Sequence, residues 1–252
     1  MTEPKLEILR PPPLNLLDRA SLFLDFDGTL VGIEQRPGDV VVGEALKKLL
    51  ARLSRKVDGR LAIISGRPAA EVDAMFGGAT FVIAGSHGLE LRWPNGNTLA
   101  VPPPPDLSEV ENDMEQLKKR HPKLLVESKP FGVALHYRLA PEAEDDCKAL
   151  ASALQLRTGL QLQAGKMVLE LKASWADKGS ALSFLMAGSE MSMTRPVFLG
   201  DDETDETGFE AAARLGGAGV LVGPARPTAA AFGLPDVDSA LHWLEAASED
   251  RS

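Results

Sequence analysis

The stretch Ser21-Leu22-Phe23-Leu24-Asp25-Phe26-Asp27-Gly28-Thr29 decides the fold of this 252-residue chain. An apolar run over 21–26 that closes in polar turn residues predicts a buried strand with two carboxylates at its carboxyl end. The same theme returns at 61–64 and 81–84, with an amphipathic helical pattern over 44–57 between the first two runs. Strands that alternate with helices indicate a parallel α/β sheet.

A second rhythm interrupts this sheet. Four consecutive prolines at 102–105 cannot continue a helix or a strand, so we place a domain boundary there. The sheet rhythm resumes near 177. We therefore expect a Rossmann-like α/β core, residues 1–104 and 173–252, with an inserted smaller α+β cap domain over 105–172. The elements predicted for the insert are helices at 107–120 and 142–157 and strands at 124–128, 132–138, 160–164 and 167–171.

Composition and charge exclude several classes of function. The net charge of −9, from 27 basic and 36 acidic residues, comes without any Lys/Arg cluster interleaved with aromatics, so no nucleic-acid partner is expected. No apolar window approaches the ~18 residues of a membrane helix, which argues against a membrane partner. The first residues lack a secretory pattern, and Cys147 is a lone cysteine. We expect a cytoplasmic monomer that acts on a small-molecule substrate.

Polar clusters lie where the predicted core strands end, which is the edge at which open parallel sheets bind ligands. Converging carboxylates repel one another unless a cation neutralises them, and all-oxygen ligands favour Mg²⁺. The sequence therefore predicts a magnesium site at this edge. The clusters are Asp25 and Asp27, Ser65 and Arg67, His87, and Asp201, Asp202 and Asp205.

Two of these carboxylates fit a phosphoryl-transfer reaction. Asp25 is the candidate nucleophile, and Asp27, two residues on, is placed to protonate the leaving alcohol and then deprotonate the attacking water. Taken alone, Asp-Phe-Asp-Gly-Thr is equally typical of a strand-ending turn. The acidic run at 200–206, directly after a second buried strand, favours the functional reading. Whether Asp202 or Asp205 binds the metal or orients its water stays open at this point.

The chain resembles the haloacid dehalogenase superfamily of phosphatases in four motifs that occur in the expected order. By that resemblance Asp25 is the nucleophile, Asp27 is the general acid/base, and Ser65 and Lys178 hold the transferring phosphoryl group. The resemblance also implies that Asp25, Asp201 and the backbone carbonyl of Asp27 hold Mg²⁺. The motifs are Asp25-Phe26-Asp27-Gly28-Thr29, Ser65, Lys178, and Gly200-Asp201 through Asp205.

A narrower resemblance is to the trehalose-6-phosphate phosphatase family. It implies hydrolysis of trehalose 6-phosphate as the last step of trehalose biosynthesis, with Glu127, Lys129 and Glu170 binding the disaccharide and Arg67 and His87 lining the site. The motifs that carry it are Ile64-Ser65-Gly66-Arg67, Gly85-Ser86-His87-Gly88-Leu89-Glu90, Glu127-Ser128-Lys129, His136-Tyr137-Arg138, Glu170, Asp177-Lys178-Gly179 and Gly200-Asp201-Asp202-Glu203-Thr204-Asp205-Glu206.

Three alternatives remain at this level. A phosphatase of the same chemistry for sucrose phosphate or glucosylglycerol phosphate would need different side chains at Glu127, Lys129 and Glu170. A non-catalytic sugar-phosphate sensor or regulator has no need for both a nucleophile and a shuttle acid, which argues against that reading. A phosphomutase would use the same aspartates but would return the phosphoryl group to a sugar.

Overall fold

The structure of the chain is a computed structural model that divides into two compact units, Met1–Ala100 with Asp177–Ser252, and Val101–Ala176. The predicted boundary at 102–105 falls mostly outside the described part of the chain, since only Pro104 of that run is described. No helix among the described residues is long and apolar enough to cross a membrane. The described residues are 9–34, 36–101, 104, 106–173, 177–188 and 191–249.

Strands and helices largely alternate in the first unit, whereas in the second unit each helix is followed by two consecutive strands. The strands are β1 Ala20–Leu24, β2 Leu61–Ile64, β3 Val82–Gly85, β4 Glu90–Arg92, β5 Thr98–Ala100, β6 Leu125–Lys129, β7 Gly132–His136, β8 Gln161–Gly165, β9 Val168–Lys172, β10 Arg195–Gly200, β11 Ala218–Val222 and β12 Phe232–Leu234. The helices are α1 Glu44–Lys56, α2 Ala69–Phe76, α3 Leu107–Arg120, α4 Glu144–Thr158, α5 Lys178–Ala187, α6 Glu206–Arg214 and α7 Val237–Ser248.

The first unit is built on an eight-stranded sheet in the order β12-β11-β10-β1-β2-β3-β4-β5. The strands from β12 to β3 pair in parallel, and β4 and β5 extend the sheet antiparallel. Strand β1 is buried on both faces: Leu22 and Leu24 belong to one apolar cluster with α1, α2 and α7, and Phe23 belongs to another with α5 and α6. Burial on both faces explains why β1 reads as an uninterrupted apolar run.

The second unit is an antiparallel sheet in the order β6-β7-β9-β8, with α3 and α4 on one face. Val133 and Leu135 of β7 pack into the apolar cluster with these helices. Glu127 of β6 and Glu170 of β9 both align with Ala134 of β7, so they share the opposite face of the sheet. The α+β architecture matches the fold class that the sequence predicts.

Candidate active site

Three carboxylates meet at the carboxyl edge of the first sheet. Asp25 follows β1 and Asp201 follows β10, its parallel neighbour, and the Asp25 amide donates to the Leu199 carbonyl at 2.9 Å. Asp205 ends a short 3₁₀ turn that begins two residues after Asp201. One carboxylate oxygen from each of the three lies within 4.8 Å of the others. We call Asp25, Asp201 and Asp205 the acidic cluster.

Lys178 is the cation at this cluster. It is the first residue of α5, and the helix start is fixed by a capping box in which the Asp177 carboxylate accepts the Ser180 amide at 2.7 Å and the Ser180 hydroxyl accepts the Asp177 amide at 2.9 Å. Lys178 Nζ donates to Asp25 Oδ1 and to Asp205 Oδ1, both at 2.6 Å. One ammonium therefore serves two of the three carboxylates.

The electrostatics of the cluster follow from burial and crowding. Burial, together with repulsion from Asp205, raises the pKa of Asp25 well above its usual value, and Lys178 only partly offsets this. Burial and Asp205 also raise the pKa of Asp201 to about 6. Burial acts to lower the pKa of Lys178, but the attraction of Asp205 and Asp25 raises it overall. Three carboxylates thus meet one ammonium among the described residues.

A hard divalent cation fits this set of donors. Asp201 Oδ1 is buried and has no hydrogen-bond partner among the described residues. A buried carboxylate oxygen without a partner is costly, and the remaining ligand atoms of the cluster are also oxygens. Space is tight here, since a Cβ on Gly28, whose φ is +86°, would lie 2.1 Å from Asp201 Oδ2. Glycine at position 28 therefore lets the backbone approach the Asp201 carboxylate at a place where any side chain would clash.

The structure separates the roles of Asp205 and Asp202. Asp205 Oδ2 accepts the amides of Asp201 and Asp202, both at 2.9 Å, while its other oxygen accepts Lys178. Asp202 caps the 3₁₀ turn by accepting the Glu203 amide at 2.6 Å. We call residues 201–205 the acidic loop. The buried Asp205 side chain holds this loop through two backbone amides, and Asp202 lies on its outer side.

Asp27 lies apart from the acidic cluster. Its carboxylate accepts two hydrogen bonds from the Arg67 guanidinium in a bidentate pair. Nε donates to Oδ2 at 2.7 Å, and Nη2 donates to Oδ1 at 2.8 Å. Arg67 also pairs with Glu71. Arg67, which is predicted to bind substrate, thus pairs in this structure with Asp27, the predicted general acid/base. Only the backbone carbonyl of Asp27, and not its side chain, is among the predicted metal ligands.

Ser65 and His87 lie at the same edge. Ser65 follows β2, is buried, and its hydroxyl accepts the Arg67 amide at 3.1 Å. The His87 amide donates to the Ser65 carbonyl at 2.8 Å, and His87 adopts a φ of 59°. A Cβ on Gly66 would lie 2.9 Å from His87 Nε2, so the ring packs against the chain between Ser65 and Arg67.

The remaining predicted residues lie together in the second unit. Lys129 Nζ donates to Glu170 Oε2 at 3.0 Å, and Glu127 Oε2 lies 2.8 Å from His136 Nε2. Glu127 and Lys129 are two residues apart on β6, so their side chains lie on the same face of the sheet, which is also the face of Glu170. We call Glu127, Lys129, His136 and Glu170 the polar face.

Two residues at the core site, Glu71 and Arg226, were not predicted from the sequence. Glu71 is four positions after Arg67 around the start of α2, a spacing that signals a side-chain pair. Arg226, which reaches the acidic loop, lies in a segment without periodicity and had no local signal. Glu206, interpreted as a first-turn acid of a helix, pairs with Arg226.

A carboxylate after β1, a lysine at the start of α5 and an acidic loop after β10 meet at one edge of a parallel sheet, as the resemblance to the haloacid dehalogenase superfamily predicts. The solved C-terminal domain of C. albicans trehalose-6-phosphate phosphatase has this fold, with a TM-score of 0.83 and 21% identity over 95% of this chain and 98% of that one.

The sequence narrows the class further. The profile of the trehalose-phosphatase family matches residues 23–238, and the chain belongs to this family. It is 39% identical to trehalose-6-phosphate phosphatase of Escherichia coli (strain K12) over 249 residues, 97% of this chain and 91% of the relative. It is 35% identical to a probable trehalose-phosphate phosphatase of Sinorhizobium fredii over 92% of this chain and 88% of the relative.

Proposed function

We propose that the chain is a magnesium-dependent phosphatase that hydrolyses trehalose 6-phosphate to trehalose and inorganic phosphate through an aspartyl phosphate. The observation that carries this is the position of Asp25, a buried carboxylate at the end of β1 with Lys178 at 2.6 Å and Asp201 beside it. Membership in the trehalose-phosphatase family and the likeness to relatives that act on this ester support the substrate.

The reaction takes place in two steps. An oxygen of Asp25 attacks phosphorus and the bond to the trehalose oxygen breaks, with the proton for that oxygen coming from Asp27. A water then attacks the phosphorus of the aspartyl phosphate, Asp27 takes its proton, and the bond to Asp25 breaks. Ser65 and Lys178 donate hydrogen bonds to the phosphoryl oxygens in both steps.

Magnesium would be held by Asp25, Asp201 and the backbone carbonyl of Asp27. When bound, it supplies positive charge that reduces the repulsion between the nucleophilic carboxylate and the phosphoryl oxygens. Asp205 takes part by holding the acidic loop through the amides of Asp201 and Asp202, both at 2.9 Å.

Recognition of the sugar is assigned to the inserted unit. We assign residues 105–172 to a cap domain and residues 1–104 and 173–252 to the catalytic core. Glu127, Lys129 and Glu170 share one face, and carboxylates with an ammonium suit hydrogen bonds to sugar hydroxyls. Arg67 and His87 are proposed to bind substrate from the core. We further propose that the enzyme is a monomer in the cytoplasm.

The test is release of phosphate from a panel of esters. Trehalose 6-phosphate, glucose 6-phosphate and sucrose 6-phosphate are compared at equal concentration, each with Mg²⁺ and with EDTA. We expect release that requires Mg²⁺ and is fastest from the trehalose ester. Faster release from another sugar phosphate would overturn the substrate and leave the chemistry standing. No release from any ester would favour a sugar-phosphate-binding regulator, and release of free phosphate without a phosphorylated activator would exclude a mutase.

A further inference from the structure

The acidic loop has an outer support that lies far away in sequence. Arg226, in the connection between β11 and β12, donates from Nη2 to the carbonyl of Asp202 at 2.7 Å and to the carbonyl of Asp201 at 3.5 Å. Its Nη1 pairs with the carboxylate of Glu206. Glu206 in turn accepts the amide of Ala229 at 2.7 Å through its other oxygen. The connection is therefore tied to the acidic loop through Arg226 and to the first residue of α6 through Glu206.

The loop is held from two sides, by a hydrogen-bond acceptor on one side and by a donor on the other. On the inner side Asp205 accepts the amides of Asp201 and Asp202. On the outer side Arg226 donates to the carbonyls of the same two residues. The peptide plane between Asp201 and Asp202 is thus held at both ends, its N–H by Asp205 and its C=O by Arg226. The planes on either side of it are each held at one of these contacts. These planes set where the Asp201 side chain points, and Asp201 carries the buried oxygen without a partner.

The charge of the pair is balanced, and this matters beside a cation. An arginine alone near the acidic cluster would repel a bound metal ion, whereas Arg226 together with Glu206 contributes no net charge. A guanidinium has several donors in a fixed fork, so it can contact a carboxylate and carbonyls at once, which a single ammonium cannot do as well.

We propose that Arg226 and Glu206 are positioning residues that hold the acidic loop in the geometry in which Asp201 binds the divalent cation. The inference rests on the magnesium site of the proposed function. Neither residue touches substrate or the reacting atoms in this proposal. Their effect reaches the cation through the backbone of Asp201 and Asp202, as partners of metal ligands commonly do.

The decisive experiment measures Mg²⁺ binding without substrate by isothermal titration calorimetry. The double variant E206Q/R226Q removes one negative and one positive charge, so its net charge equals that of the wild type. We expect its Mg²⁺ dissociation constant to rise roughly 10-fold to 100-fold, the usual cost of losing an outer partner of a metal ligand. The matched control R52Q/E245Q removes an exposed Arg–Glu pair of the same unit, joined at 3.1 Å, and should bind like the wild type.

Single variants separate position from charge. R226Q removes a positive charge near the cation, so electrostatics alone would tighten Mg²⁺ binding, whereas loss of positioning weakens it. Weaker binding by R226Q supports the proposal, and tighter binding overturns it. R226K keeps the charge but not the fork, and we expect a loss of a few-fold. It also serves if the double variant does not fold, which its melting curve in EDTA will reveal.

Each outcome has a distinct meaning. If the wild type binds Mg²⁺ and the double variant binds equally well, the positioning role is wrong and the proposed function is untouched. If the wild type binds no Mg²⁺, the cation site fails and the positioning role fails with it. A lower melting temperature in EDTA with an unchanged Mg²⁺ dissociation constant would reveal a purely structural pair and overturn the inference.

Discussion

The acidic cluster of the core and the polar face of the second unit both gather charges, but they differ in balance. In the core, Lys178 faces Asp25 and Asp205, with side-chain exposures of 4%, 6% and 0%, and Asp201 adds a third carboxylate. On the polar face Glu170 pairs with Lys129 and Glu127 pairs with His136, at side-chain exposures of 13–16% and 24–28%. The first set is largely buried and has more carboxylates than cations, whereas the second set is paired and partly exposed to solvent.

This difference in charge balance and burial fits the proposed division, with the reaction at the acidic cluster and sugar binding on the polar face. Buried carboxylates that exceed the available cations are unfavourable on their own, so such a cluster persists where an ion and a phosphoryl group complete it. Paired side chains with some access to solvent exchange one hydrogen-bond partner for another at little cost. Sugar hydroxyls are partners of that kind. Substitutions in the acidic cluster should therefore change the reaction rate and the metal dependence. Substitutions on the polar face should change the affinity for the substrate.

The largest expected effect is that of replacing Asp25, the proposed nucleophile. Asp25→Asn removes the attacking oxygen, and we expect phosphate release to fall on the order of 10⁴-fold or more. The fold should survive, because the substitution relieves a crowded buried carboxylate. Asp18→Asn is the control, since Asp18 is an exposed aspartate whose carboxylate pairs with Lys56 at 3.6 Å. Near-normal release by the Asp25 variant would remove Asp25 from the chemistry.

The second prediction contrasts two lysines. Lys178→Gln leaves Asp25 and Asp205 buried without their cation, and breaking a buried pair in this way costs about 3–5 kcal/mol of unfolding free energy. Lys129→Gln breaks one pair that is better exposed to water, at a cost of about 1 kcal/mol. Urea denaturation in EDTA compares the two variants. Equal losses would mean that the two regions do not differ in the way described above.

Most of the fold was predictable because its elements carry strong local patterns. The apolar run of β2 and the amphipathic pattern of α3 have the bounds that the sequence predicts, Leu61–Ile64 and Leu107–Arg120. Strand β12 was not predicted, since Phe232–Leu234 is three residues long with a glycine at its centre. Such a strand forms by pairing with β11, a tertiary contact without a local signal.

The part of the site that follows from the order of the strands was predictable from the sequence. Asp25 and Asp201 meet because adjacent parallel strands end at the same edge, which the order of the elements already implies. The contact of Arg226 with the carbonyl of Asp202 joins residues 24 positions apart through a loop. The pairing of Asp27 with Arg67 depends on side-chain direction at two different strand ends. Neither spacing follows any repeat of helix or strand.

The third prediction tests the polar face. Glu127→Gln and Glu170→Gln each weaken one charged hydrogen bond to sugar, worth about 1.5–3 kcal/mol, so KM for trehalose 6-phosphate should rise roughly 10-fold to 100-fold. Hydrolysis of p-nitrophenyl phosphate, which has no sugar, should change far less. Glu115→Gln on α3, whose carboxylate pairs with Lys118 at 2.9 Å, is the control. A loss of kcat on both esters would place these residues in the chemistry and contradict the division of roles.

The smallest expected effect is a dependence of stability on pH that Mg²⁺ reverses. The pKa of Asp201 is about 6 in the fold, above its value near 3.9 in an unfolded chain. A raised pKa means that the folded state binds this proton more tightly, so the associated stability is present below about pH 4 and is lost as pH rises through 6. Asp201→Asn carries a neutral group at every pH and lacks this loss.

In EDTA, the variant and the wild type should therefore melt alike near pH 4. At pH 7.5 the variant should melt roughly 2–6 °C higher, because the ionised carboxylate of the wild type is buried beside Asp205. With Mg²⁺ at pH 7.5 the order should reverse, since the ionised carboxylate becomes a ligand that the amide replaces poorly. Differential scanning calorimetry at both pH values measures this. A variant that melts below the wild type in EDTA at pH 7.5 would mean that Asp201 is stabilised without a cation, and the contrast between the acidic cluster and the polar face would lose its main support.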